Sequence, residues 1–405
     1  SDGATVFPHS IAMASSWNPD LLHRVGSVVA KEARSVGVSQ ILSPVLDLCR
    51  EPRWGRCQET YGEDPYLVSR MGVAFITGLQ GQDCAIDQEH VAATPKHFAA
   101  HGSPEGGVNM SPVYTGPREL RTLYIPPFKA AICEAGALSV MPCYSEIDGI
   151  PAPKNRELLT KILKEEWEFQ GYTYSDWDSI EMLHTFHHTA SSLAEAGKQA
   201  IEAGMDLEAP SARAYGQELL KLVKERKVAE ETIDMAVRRI LAVKFLLGLF
   251  ENPYSADKKR AAEIRDCTEH RELAREVARE SVILLKNEDN LLPLDEHIGS
   301  IAVIGPNSDV AQTGNYSGTN DNLVTVLQGI RSRVPDATLN CAKGCGIYEL
   351  PTEGIQEAVQ AARDSDVAIV IVGESTEVCE EGTDQSDLEL PGVQMELVRA
   401  VCATG

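Results

Sequence analysis

Asp176 stands in Tyr174-Ser175-Asp176-Trp177, where an apolar strand pattern gives way to a loop. A carboxylate in such a place can act as a nucleophile, and the adjacent indole can form an aromatic platform for a sugar ring. The position suits a helix N-cap for the segment beginning at Ser179 equally well, and the pattern alone does not choose. Lys96 and His97 end another strand pattern. Such a pair can donate hydrogen bonds to hydroxyls, or be absorbed by a salt bridge and core packing. Arg53, Trp54 and Arg56 crowd with Glu59, Glu63 and Asp64. An ion-pair knot around a long loop is the preferred reading for every member except Arg56. His184 and His188 share a helix face with His187 beside them, but no convergent carboxylates accompany them, so no metal is expected.

A second source of acid lies far along the chain. The run Val367–Val372 empties into a loop holding Glu374, Glu377, Glu380, Glu381, Asp384, Asp387 and Glu389. Runs of this kind are usually solvated, but one directly after a strand can lend a single carboxyl to a neighbouring cleft. One carboxylate at a strand end and another from a loop meet the needs of a retaining glycosidase. One attacks the anomeric carbon and the other protonates the leaving oxygen, about 5–5.5 Å away.

The elements that must position these groups fall into two blocks. From residue 1 to 250, strand candidates Ile41–Leu48, Val91–Phe98, Leu138–Tyr144, Tyr172–Trp177 and Met205–Glu208 alternate with amphipathic helices. Asn18 followed by Pro19 marks one helix start and Gly37 its stop; a second helix is expected over Pro117–Glu134. Such alternation implies a parallel sheet with helices outside it. Polar groups follow several different strands, as at the mouth of a barrel, and no GxGxxG or GxxxxGK[ST] loop marks a nucleotide site. Residues 251–292 read as a charged helical linker, and 293–405 as a second α/β block that stops with few strands. Within it, the unbroken apolar run Val367–Val372 predicts a strand buried on both faces.

Composition narrows the partners. The 405 residues are 43% hydrophobic and 24% charged, more than one core usually fills. A net charge of −23 argues against nucleic acid and anionic membrane, and no run reaches the roughly 18 apolar residues of a membrane span. The opening SDGATVFPHS carries no secretory signal pattern. Ten Cys are too few for a disulfide scaffold, and Cys341 with Cys345 in CAKGC lack the neighbouring His of a zinc site.

WGRCQETYGEDPYLVSRMG, PKHFAAHG, PRELRTLYIPPF, VMPCYSEIDGIPA, YSDWDSI, AGMDLEAP and LLKNEDNLLPL together resemble glycoside hydrolase family 3, in unbroken order over essentially the whole chain. The resemblance implies a (β/α)8-type barrel, here incomplete at its N-terminus, over 1–250. A partial α/β/α sandwich over 293–405 would carry the acid/base loop. It makes Asp176 the nucleophile, with Arg56, Lys96, His97 and Tyr144 hydrogen-bonding the sugar or the nucleophile, and Trp177 a stacking wall. Counting back from Leu388-Glu389-Leu390-Pro391 selects Glu381 as acid/base, then Glu380, then Glu377. The expected activity is release of β-D-glucose from nonreducing ends, with β-D-xylosidase or mixed activity as the alternative. Substrates would be oligosaccharides or aryl and alkyl β-glycosides, with no cofactor, no metal, no nucleic acid and no membrane. A homodimer is compatible with the sequence, and a secreted or periplasmic location is preferred.

Three departures from the family pattern bear on this. An initial (N/D)-(E/G)-x-x-HG segment, whose acidic residue grips O4 and O6, is missing. So is the later part of the sandwich. KHFAAHGSPEGGVN lacks the D-x-H dyad of the N-acetylglucosaminidase branch. The Cys spacing of CREPRWGRC matches a disulfide in some secreted relatives, implying a Cys49–Cys57 bridge. Two rivals of other classes are a non-catalytic sugar-binding protein and a Schiff-base lyase or aldolase, for which Lys96 is the only suitable lysine.

Overall fold

The structure is a computed structural model that describes residues 2–81 and 86–405. The chain is an α/β protein made of two units. One is Phe7–Val282; the other is Ile283–Gly405 together with the segment up to Val6.

In the first unit the strands are β1 (Gln40–Ile41), β2 (Ala92–Ala93), β3 (Lys96–Phe98), β4 (Ser139–Pro142), β5 (Glu146–Ile147), β6 (Ile150–Pro151) and β7 (Tyr172–Thr173). β1 pairs with β2, and β3, β4 and β7 form a sheet in that order, every pair parallel. Two parallel bridges extend the pattern sideways, Val45 to Lys96 and Tyr174 to Leu207. The five expected strand segments thus lie side by side, though the regular hydrogen-bonded part of each is short and Met205–Glu208 contributes only a bridge. β5 and β6 make a separate antiparallel pair.

Helices cover the strands for reasons already present in the sequence. Asn18 accepts a hydrogen bond from the Leu21 N–H at 3.2 Å and caps Pro19–Ser35, with Pro19 in the first turn where its missing N–H costs nothing. Gly37 ends that helix at φ +87°, its N–H bonding back to the Arg34 carbonyl. Asp64 caps Pro65–Gln80 in the same way. The two helices cross closely at Gly78, where a Cβ would stand 2.3 Å from the His23 carbonyl oxygen. One expectation fails here. Pro117–Glu134 is not a single helix but Gly116–Glu119, a π-turn over Leu120–Tyr124, and Pro126–Cys133. Pro126 and Pro127 have no N–H to give to the preceding turn, so a new helix starts at them.

Residues 251–282 belong to this first unit. Helices Lys258–Ile264 and Thr268–Glu280 fold back on Pro19–Ser35. The Asp257 N–H bonds the Ser35 carbonyl at 3.0 Å, His270 meets Glu32 at 2.7 Å, and Leu273 and Val277 enter the main core. That core runs from Leu21 and Leu22 through Leu46, Met71, Ile76, Phe98 and Phe128 to Leu159 and Ile180, all buried.

The second unit is built on the parallel sheet β10-β8-β9, with β8 (Ser300–Ile304) central, β9 (Thr338–Ala342) on one side and β10 (Val367–Val370) on the other. Val326–Arg333, Ile355–Arg363 and Gln394–Cys402 are its principal helices. β8 is buried throughout except at Ser300. β10 is only half-buried, contrary to the expectation for Val367–Val372, because it pairs through β8 alone. An unbroken apolar run reports burial when neighbours exist on both sides, and β10 is an edge.

Candidate active site

Parallel strands deliver their C-terminal ends to one side of a sheet, so groups that end successive strands become neighbours however far apart in sequence. Asp47 follows the Val45 bridge. Lys96 and His97 lie in β3, Tyr144 two residues beyond β4, and Asp176 beyond β7. The Lys96–His97 and Phe98–Ala99 peptide bonds are cis.

Asp176 is not a helix cap. The helix Ser179–Thr185 has Asp178 at its N-cap with no side-chain bond, and the Asp176 carboxylate turns inward, 7% exposed. Its Oδ1 accepts from the Tyr144 hydroxyl at 2.8 Å and from the Trp177 N–H at 2.7 Å. Its Oδ2 is buried and accepts no hydrogen bond among the described residues. Burial raises the Asp176 pKa above the usual carboxylate value, opposed by the Tyr144 hydrogen bond, the Lys96 charge, the Trp177 N–H and the Arg56 charge. Two oriented donors hold one oxygen, while the lone pairs of Oδ2 are left unshared among the described residues.

His97 is 1% exposed and wedged between charges. Its Nδ1 lies 2.7 Å from Asp47 Oδ2, its Nε2 lies 3.2 Å from Arg56 Nη2, and that same Nε2 is 3.7 Å from Asp176 Oδ2. Burial, then the Arg56 and Lys96 charges, hold its pKa well below the usual imidazole value. Arg56, also 1% exposed, is gripped by Glu59, with Nε to Oε1 at 2.7 Å and Nη2 to Oε2 at 3.0 Å. The loop carrying it is closed by a Cys49–Cys57 disulfide and floored by buried Trp54, whose Nε1–H donates to Asn109 at 2.9 Å. Gly102 admits the preceding strand end: a Cβ there would meet the Leu48 carbonyl oxygen at 2.4 Å. Trp177, next to the buried carboxylate in sequence, is 48% exposed.

The other charges of the stretch behave structurally. Arg53 pairs with Glu51 at 2.8 Å, and Asp64 is spent on its cap. His187 meets Glu146 at 3.2 Å, while His184 and His188 contact the carbonyls of Ala190 and His184. Among the described residues no group of three or more His, Cys, Asp or Glu could hold a metal ion.

In the second unit, Glu380 and Thr383 form an antiparallel bridge that makes a tight turn of Glu381 and Gly382, the latter at φ +81°. Glu381 accepts a hydrogen bond from the Tyr316 hydroxyl, which comes from the loop following β8. Buried Gln394 ties down the start of the acidic loop, accepting from the Gly373 N–H at 2.8 Å and donating to the Gly373 carbonyl at 2.9 Å. Sequence reasoning passed over Asp47 and Tyr316. Asp47 had a usable signal, since a lone carboxylate inside the apolar run PVLDL must find a buried partner. Tyr316 had none.

The polar groups gathered after parallel strands make a buried polar site in an α/β protein, and comparison with known proteins gives the family. Residues 1–243 match the glycosyl hydrolase family 3 N terminal domain and residues 282–405 match the glycosyl hydrolase family 3 C-terminal domain. The chain belongs to glycosyl hydrolase family 3. It is 42% identical to a β-xylosidase of Formosa agariphila, over 99% of this chain and 58% of that protein. It is 38% identical to a periplasmic β-glucosidase of Salmonella typhimurium, over 99% of this chain and 56% of that protein. Among solved structures, a β-glucosidase from Listeria innocua in complex with glucose superposes with a TM-score of 0.94 at 35% identity, covering 99% of this chain and 55% of that one. The chain thus spans little more than half the length of these relatives. No helix among the described residues is long and apolar enough to cross a membrane.

Proposed function

We propose that the protein is a retaining, exo-acting glycoside hydrolase that releases β-D-glucose from nonreducing ends through a covalent glycosyl-enzyme. In this reading the first unit is a (β/α)8-type barrel and the second an α/β/α sandwich. The observation that carries the proposal is the Asp176 carboxylate, with one oxygen held by Tyr144 and Trp177 and the other buried without a hydrogen bond among the described residues. A general base would need a proton to take. A carboxylate so fixed, with a bare oxygen, is arranged to attack carbon.

Asp176 Oδ2 attacks C1 while Glu381 protonates the glycosidic oxygen. The leaving alcohol departs, and Glu381, now a base, takes a proton from water as that water displaces Asp176. Arg56, Lys96 and His97 surround the sugar's hydroxyls, and Trp177 stacks against the ring. The 42% identity to a β-xylosidase favours a second reading, β-D-xylosidase or mixed activity. Glucose and xylose differ by one hydroxymethyl group, which a pocket discriminates through room and hydrogen bonds. The substrate is an oligosaccharide or an aryl or alkyl β-glycoside, and a secreted or periplasmic location accords with the periplasmic relative.

The test uses 2-deoxy-2-fluoro β-glucoside and β-xyloside inactivators followed by peptide mass spectrometry. Covalent mass on the Asp176 peptide supports the proposal, and the faster label names the sugar. Label on another carboxylate refutes the nucleophile; sugar binding with no label at all indicates a non-catalytic sugar-binding protein.

A further inference from the structure

The proposed mechanism makes no use of Asp47, although its side chain is fully buried and the His97 ring links it to the proposed nucleophile. Both bonds that Asp47 accepts arrive at one oxygen, from the His97 backbone N–H at 3.1 Å and from His97 Nδ1 at 2.7 Å. Its other oxygen, Oδ1, is buried and makes no hydrogen bond among the described residues.

The opposite side of the His97 ring fixes where its proton lies. Nε2 is 3.2 Å from Arg56 Nη2. A guanidinium can only donate, so Nε2 must present its lone pair to it. The ring's single proton is then on Nδ1, pointing at Asp47. His97 is a neutral imidazole, and its 3.7 Å approach to Asp176 Oδ2 sets two lone-pair atoms near each other rather than forming an ion pair. That agrees with Asp176 Oδ2 accepting no hydrogen bond among the described residues. A proton on Nε2 would instead face the guanidinium donor and leave Nδ1 and Asp47 as two acceptors in contact.

We propose that Asp47 is a positioning residue for this site: it locks His97 in the Nδ1–H tautomer so that His97 Nε2 holds the Arg56 guanidinium in place. Arg56 is then fixed by acceptors from two directions, Glu59 and His97, and the chain Asp47–His97–Arg56–Glu59 joins a strand end, β3 and the disulfide-closed loop. The single ring N–H of a neutral His97 is committed to Asp47. The tautomer assignment stands on this geometry alone, whereas its importance for turnover rests on the glycosidase reading.

The experiment is long-range 1H–15N correlation spectroscopy of the full chain labelled with 15N-histidine, with His97 assigned by its disappearance in His97→Gln. Wild type should show His97 with Nδ1 protonated and Nε2 bare. Asp47→Asn keeps one oxygen to accept both bonds and places its NH2 where Oδ1 makes none, so it should preserve that pattern. Asp47→Ala removes the acceptor and should shift the ring toward the Nε2–H form. On an aryl β-glycoside, Asp47→Ala should lower kcat/KM about ten- to hundredfold, the scale of one hydrogen bond to a charged group, and Asp47→Asn only a few-fold. A wild-type His97 protonated on Nε2, or on both nitrogens, overturns the assignment even if Asp47→Ala does not fold. An Asp47→Ala spectrum identical to wild type, or an Asp47→Asn spectrum with the tautomer lost, overturns the role of Asp47. The predicted spectra from a protein without glycosidase activity would uphold the tautomer lock and sink only the catalytic reading.

Discussion

Tyr144→Phe removes a single hydroxyl from the site while keeping the ring that fills its place. The lost bond is 2.8 Å long and ends on Asp176 Oδ1, leaving that oxygen only the Trp177 N–H at 2.7 Å. A hydrogen bond to a charged group contributes about 1.5–3 kcal/mol, and 1.36 kcal/mol corresponds to one pKa unit. Loss of a donor to an anion disfavours the ionised form, so the Asp176 pKa moves further up from a value that burial already raises. The nucleophile works ionised, so activity falls as pH drops through this pKa. The acidic limb of the kcat/KM profile should therefore lie above the usual carboxylate range in wild type. It should move up by about one pH unit in Tyr144→Phe, the low end of that range, since the Trp177 N–H remains. At a pH well above the limb the loss should be smaller, because a carboxylate relieved of one donor is the stronger nucleophile. The assay is kcat/KM on an activated aryl β-glucoside across the pH range, with circular dichroism to confirm folding. An acidic limb unmoved by the substitution would show that Tyr144 does not stabilise the ionised nucleophile, and the reading of Asp176 would lose its electrostatic basis.

Asp176→Asn should abolish nearly all turnover, and a variant keeping a tenth of wild-type activity would exclude Asp176 as nucleophile. Glu381→Gln should depress hydrolysis of alkyl glycosides, whose leaving groups need a proton, far more than that of nitrophenyl glycosides. The same pattern in Glu380→Gln and not in Glu381→Gln would move the acid/base role by one residue. Replacing Cys49 and Cys57 by Ser opens a loop with a sequence separation of 8 and should cost about 2–3 kcal/mol in denaturant titrations. Because that loop carries Arg56, kcat/KM should fall as well; an unchanged value would show that Glu59 and His97 suffice to hold the guanidinium.

Much of this molecule could be read before its coordinates. Helix caps are local devices, so Asn18, Pro19 and Gly37 announced their helix and the structure uses each as expected. Strand ends with polar residues announced Asp176, Lys96 and His97 as candidates, and the motif order gave the family that the domain matches establish. Other features depend on neighbours that a linear pattern does not name. Helical periodicity predicts one helix over Pro117–Glu134, but Pro126 and Pro127 supply no N–H to the preceding turn and the helix breaks there. The half-exposure of β10 follows from having one paired strand rather than two.

By itself the sequence determined the alternation of strands and helices, the family, and which side chains have the chemistry to act. The tertiary structure decided what each does. Parallel pairing brings Asp47, His97, Tyr144 and Asp176 to the same ends of adjacent strands, and burial there makes every unshared lone pair matter. Whether an aspartate caps a helix or bares an oxygen, and which nitrogen of a histidine keeps its proton, depends on donors and acceptors contributed by residues distant in the chain. Such partners become neighbours only on folding, and there geometry assigns the role.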